Sequence, residues 1–145
     1  MPPIAVFFTL DSVVARQNLG SHAEAMPGAR ATLDELDAQG VPTAVLTDGP
    51  SALARALLES LDAIPNALVA AEDAGDPMPA PATIFRACEV LGVAPWEVLI
   101  VGMSENDKLA AASAGALFAS INGVSGNFTM TSLVEVLSII DGTHP

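Results

Sequence analysis

The stretch AVFFTLDSVV, Ala5–Val14, decides how this chain is read. The run IAVFF over 4–8 is continuously apolar, as a strand covered on both faces requires. The run then stops at Thr9, and Asp11 follows two residues on. A buried strand that ends on polar side chains delivers them to the carboxyl edge of a sheet. Open α/β folds keep their sites at that edge.

Working outward, short apolar runs alternate with helical periodicity. PTAVLT (42–47), ALVAA (67–71), EVLIVG (97–102) and ALFASI (116–121) read as further strands. Between them, 29–39, 51–61, 81–91 and 105–114 carry apolar residues at helical spacing, and 130–139 reads as a last helix. Gly40, Gly92 and Gly115 stand where three of these helices should stop. Five strands alternating with helices predict a doubly wound α/β domain spanning 1–145, a five-stranded parallel sheet with helices on both faces. The least patterned segment is 12–27, which leaves the first strand at its carboxyl end.

The composition narrows the function classes. The chain has 145 residues, 51% of them hydrophobic and 15% charged, which is enough apolar material for a real core. Its net charge is −12, and Arg16, Arg30, Arg55, Arg86 and Lys108 are its five basic side chains. Such a surface repels nucleic acid and anionic membrane. It also repels phosphate esters unless a local group compensates. No apolar run approaches the length of a membrane span, and MPPIAVFF does not read as a signal peptide. A cytoplasmic protein is expected, and the single cysteine, Cys88, is compatible with it.

Four segments, taken in order, resemble the haloacid dehalogenase-like (HAD) hydrolases over nearly the whole chain. VFFTLDSVV resembles the family's first motif, an apolar strand followed by Asp-x-Asp-Gly, with Thr9 at the first Asp, Asp11 at the second and Ser12 at the Gly. MPGARATLDELDAQGVPTAVLTDG (26–49) resembles the approach to the second motif and places Thr47 at its Ser/Thr. MPAPATIFRACEVLGVAPWEVLIVG (78–102) resembles the family's Lys-Pro helix and following strand, with Met78 at the Lys. VGMSENDKLAAASAG (101–115) resembles the last motif, with Met103 at its first Asp and Asp107 at its second. EDAGDPMPAP (72–81) is also similar to a segment of the phosphonoacetaldehyde hydrolase branch. The short 12–27 segment resembles that of members without a cap domain.

The resemblance implies a particular chemistry. Family members form an aspartyl intermediate at the first Asp. That carboxylate and the first acidic residue of the last motif hold Mg²⁺, and the Lys balances charge beside the phosphate. Thr9, Met103 and Met78 stand at those places, and a thioether is no ligand for Mg²⁺. The expectation is therefore a pseudoenzyme, with no catalytic residue, a lost Mg²⁺ site and no other cofactor. Its role would be binding, regulation or assembly. The retained positions are read structurally: Asp11 capping backbone N–H groups after the first strand, Asp107 in the first turn of its helix, and Thr47 capping the next helix. The alternative is a weak or altered hydrolase of a small phosphorylated or phosphonate metabolite, working through Thr9 or Asp11. A third reading takes TDGPS (47–51) as an anion site at a helix start.

The remaining expectations concern packing and partners. Met78 and Met103 fill the former polar site, leaving an open, partly apolar mouth for a small ligand or a protein partner. A homo-oligomer, with a dimer favoured, would cover that mouth. Cys88 and Trp96 are expected to pack, Lys108 to pair with surface acids, and His22 to face solvent.

Overall fold

The computed structural model describes residues 2–16, 24–121 and 123–144. The expected position of His22 lies outside them. Along the chain run β1 (Ala5–Thr9), the single turn α1 (Leu10–Val13), β2 (Val14–Arg16), β3 (Glu24–Ala25), α2 (Ala29–Ala38), β4 (Thr43–Thr47) and α3 (Ser51–Ser60). Then follow β5 (Ala67–Ala70), the short α4 (Ala71–Ala74), α5 (Ala82–Leu91), β6 (Val98–Gly102), α6 (Glu105–Ala114), β7 (Leu117–Ser120), β8 (Phe128–Thr129) and α7 (Val136–Asp141). No helix among the described residues is long and apolar enough to cross a membrane.

The main sheet has the strand order β5-β4-β1-β6-β7-β8, and every pairing in it is parallel. It has six strands rather than five. The added one, β8, is two residues long and joins the edge beside β7, too short for periodicity to reveal. Two pieces of the segment after β1, β2 and β3, pair as a small antiparallel ribbon.

Each strand of the centre is buried on both faces, as the apolar runs require. Val6 and Phe8 face one core with Leu33 and Leu36 of α2, Leu58 of α3 and Ile139 of α7. Ala5 and Phe7 face the other with Ile84 and Cys88 of α5 and Ala110 of α6. The period of two along β1 produces this division, and it sends Thr9 to the Phe7 side. Cys88 packs as expected, and burial pushes its thiol up to about 11. Trp96 does not pack: it is 76% exposed, in the turn Pro95–Glu97 that leads into β6.

The chain leaves β1 for β4 on one side and later returns to β6 on the other. Two crossovers thus diverge from the carboxyl end of β1. This divergence opens a crevice beside Thr9, the switch point of a doubly wound sheet.

Candidate functional site

Thr9 ends β1 and Thr47 ends β4, and parallel pairing of these neighbouring strands brings both hydroxyl side chains to one edge. There they line a cavity of about 230 Å³ with Leu10, Asp11, Leu46, Asp48, Gly49, Pro50, Leu53, Ala54, Met78 and Asp107. Five of the six positions singled out in the sequence therefore converge. The sixth, Met103, is half-buried and does not line the cavity. The filling of the site is thus carried by Met78 alone, which is 6% exposed and packs into the α5 and α6 core.

The turn after β1 is held by Ser12. Its hydroxyl donates to the carbonyl of Thr9 at 2.7 Å and to that of Val101 at 3.3 Å, tying the turn to β6. Asp11 was expected to cap this turn and does not. Its carboxylate accepts no hydrogen bond among the described residues, because Ser12 already closes the turn from inside. Asp11 is exposed as a residue, yet its carboxyl sits on the cavity wall. Shielding from water there, then the charges of Asp107 and Asp48, raise its pKa above the ordinary 3.8. The Thr9 hydroxyl, in a residue only 7% exposed, likewise finds no partner among the described residues.

The neighbouring carboxylates are held differently. Asp107 sits in the first turn of α6, as expected. Its Oδ2 accepts from the N–H groups of Met103 (2.9 Å) and Ser104 (3.2 Å), while its own N–H donates to Ser104 Oγ. This reciprocal box fixes the carboxylate at the cavity. Asp48, which the sequence did not single out as a site residue, accepts the Met78 N–H on Oδ1 at 3.1 Å. That link spans 30 residues of chain, and no local pattern signals it. Thr47 does not cap α3: its Oγ1 accepts from the Gly49 N–H at 3.1 Å. The first N–H of α3, on Ser51, donates instead to Glu72 at 2.8 Å. The helix start proposed as an anion site therefore already holds a carboxylate of its own chain. Lys108 points away from the cavity and donates to Ser125 Oγ at 3.0 Å, rather than pairing with an acid.

Two predictions arise from this geometry. A Cβ built on Gly102 would lie 2.7 Å from both Cβ and Oδ2 of Asp107. The near atom is anchored to the α6 backbone, so Gly102→Ala is expected to displace the helix start and cost about 1–2 kcal/mol, read by urea denaturation. The second concerns Asp11. Its folded pKa is raised, so the folded state holds its proton to a higher pH than the unfolded state does. The ionised carboxylate therefore destabilises the fold above its folded pKa and has no effect well below 3.8, where both states are protonated. Asp11→Asn is expected to melt higher than wild type at neutral pH, with the gain disappearing on acidification through that window.

A bound Mg²⁺ needs several oxygen ligands in near-octahedral array. The cavity presents a Thr9 hydroxyl where the family motif has a carboxylate, and Asp107 has one oxygen engaged by two backbone groups. Met103 lies off the cavity, and no three His, Cys, Asp or Glu side chains among the described residues are grouped to hold a metal. The donors present do not fit Mg²⁺.

The sheet order and the switch-point cavity define a doubly wound α/β core. The family of haloacid dehalogenase-like hydrolases matches residues 3–115, and this chain belongs to it. It is 28% identical over 134 residues to a phosphoglycolate phosphatase of Chromobacterium violaceum, covering 86% of this chain and 60% of that protein. It is 30% identical over 132 residues to a phosphoglycolate phosphatase of Neisseria meningitidis, covering 90% and 54%. This chain thus spans between half and two-thirds of these relatives. Among solved structures, a HAD-superfamily hydrolase from Geobacter sulfurreducens superposes with a TM-score of 0.74 at 27% identity, covering 81% of this chain and 57% of that one. One from Ehrlichia chaffeensis shares the fold over 98% of both chains, with a TM-score of 0.82 at 14% identity.

These findings overturn the expectation that the chain is not an enzyme. The relatives that cover most of it are phosphatases by name, and a hydrolase matches it at 27% identity. The expectation gave the three substituted positions too much weight. Thr9, Met78 and Met103 change which groups stand at the site, while Asp11, Thr47 and Asp107 still meet in one cavity.

Proposed function

We propose that the chain is an altered HAD-type hydrolase of small phosphate monoesters, in which Asp11 moves the proton. The observation that carries this reading is the Asp11 carboxylate, which lines the cavity unengaged among the described residues and beside the Thr47 hydroxyl. A general base must have a free lone pair and a pKa drawn toward the working pH, and Asp11 meets both conditions.

The step balances without a bound metal or a covalent intermediate. Water attacks phosphorus as its proton passes to the Asp11 carboxylate. The new O–P bond forms in line as the ester P–O bond breaks; the departing alkoxide, on the opposite face, takes a proton from solvent water, and Asp11 releases its proton to solvent. The Thr47 hydroxyl accepts the Gly49 N–H and keeps its own hydrogen to donate to a phosphate oxygen. Thr9 also lines the cavity, but its hydroxyl oxygen is buried.

The relatives' names make phosphoglycolate the first ester to try. The test is phosphate release from a panel of monoesters by the purified chain, with Mg²⁺ or with EDTA, beside Asp11→Ala. Release equal in both media and lost in the variant is the expected result. Release that Asp11→Ala retains, or no release from any ester, would overturn the reading.

A further inference from the structure

Helix α3 carries Leu53, Leu57 and Leu61 at four-residue spacing, which sets them in one stripe. Leu57 and Leu61 pack against the core shared with α2 and α7. Leu53 does not follow them. It lies in the first turn of α3, just beyond the carboxyl end of β4, where it is 50% exposed and lines the switch-point cavity. A lone exposed leucine is ordinary on a protein surface. This one is set in the wall of a cavity, where it touches whatever enters. The other leucines of that wall, Leu10 and Leu46, are buried, and so are Ala54 and Met78.

The rest of the wall bears on charge. Asp11, Asp48 and Asp107 line the cavity, and no basic side chain among those described does. The charges of Asp48 and Asp107 are felt at Asp11, so the field of one carboxylate reaches the next. A negative charge on the organic part of an ester meets repulsion there and no cation. A short alkyl group meets Leu53 and the apolar floor instead, and gains by leaving water. The cavity of about 230 Å³ is below the roughly 300–1,000 Å³ of sites for drug-sized ligands, so the group must be small.

We propose that Leu53 is a specificity-determining residue, and that it selects phosphate monoesters whose organic group is short, uncharged and apolar over those that carry a further carboxylate. The phosphate half of this assignment rests on the hydrolase reading, whereas the apolar selectivity of Leu53 does not.

The test compares isobutyl phosphate with phosphoglycolate, whose organic groups have the same number of non-hydrogen atoms and the same branching, and with methyl phosphate as the truncated ester. Binding is followed by amide NMR shifts at constant ionic strength and neutral pH, and phosphate release is measured in parallel. The expected result is at least about tenfold tighter binding of isobutyl phosphate than of phosphoglycolate. Each carbon added to methyl phosphate is expected to tighten binding by about twofold to fourfold, the upper value being that of a fully buried methylene. Leu53→Ala should lose most of the gain of isobutyl over methyl phosphate. Leu53→Arg, which puts a cation in the wall, should turn the preference toward phosphoglycolate. Leu109→Ala removes an exposed leucine that does not line the cavity and should keep the wild-type order.

The outcomes separate the two readings. Phosphoglycolate bound as tightly as isobutyl phosphate, with phosphate still released, overturns the apolar selectivity and leaves the hydrolase. A preference for isobutyl phosphate that both Leu53 variants keep overturns the role of Leu53. The expected preference, lost in Leu53→Ala but with no ester hydrolysed, supports the role of Leu53 and removes the hydrolase reading. Neither binding nor release overturns both.

Discussion

Asp11→Ala is expected to lower kcat for phosphate-ester hydrolysis by about 10²–10⁴-fold, the usual contribution of a positioned general acid–base, with KM changed far less. The carboxylate acts on protons in flight, not on the resting ester, so its removal falls on the transition state. Thr9→Ala separates this reading from one in which the threonine attacks. A nucleophile needs an adjacent base, and the Thr9 hydroxyl donates to none among the described residues. Thr9→Ala is therefore expected to cost much less than Asp11→Ala, and a loss of equal size would make Thr9 the nucleophile. The pH profile gives a third readout. A general base works ionised, so kcat/KM rises with pH through the Asp11 pKa. Shielding and the charges of Asp107 and Asp48 move that rise to higher pH than an ordinary aspartate would give. Asp11→Asn should abolish the limb while keeping the shape of the site.

The parts of this molecule that were legible in its sequence follow from local rules. IAVFF and EVLIVG read as strands because burial on both faces leaves no room for polar alternation, and both lie at the centre of the sheet. Asp107 was read in the first turn of α6 and Gly115 as its stop, and both stand there, Gly115 in a left-handed conformation. What escaped depends on contacts between distant segments. Asp48 reaches Met78 across 30 residues, and Glu72 caps α3 from beyond β5. The role assigned to Asp11 failed for a related reason. Its neighbour Ser12 closes the turn by reaching Val101, 89 residues away, and that contact releases the carboxylate. Function was misjudged when three changed positions were read as three lost roles. A site is a joint electrostatic arrangement, and a changed residue alters what the others can do.

That interdependence makes Met78→Lys the most informative single substitution. Met78 is buried, its N–H is fixed to Asp48, and its side chain lines the cavity with all three carboxylates. A lysine has a comparable stem, which can follow the same apolar path and carry its ammonium to the cavity. Left alone, a buried ammonium is costly, but here it arrives among carboxylates. One new positive charge beside them is worth about 1–3 kcal/mol at the effective dielectric of a partly shielded site. Binding of inorganic phosphate is then expected to tighten about tenfold or more. The pKa of Asp11 should fall, because a nearby cation favours the charged carboxylate, and the rising limb of the pH profile should move to lower pH. Met78→Leu changes the shape without the charge and is expected to do none of these. If Met78→Lys folds and yet leaves phosphate affinity and the pH limb unmoved, the carboxylates do not act as one field.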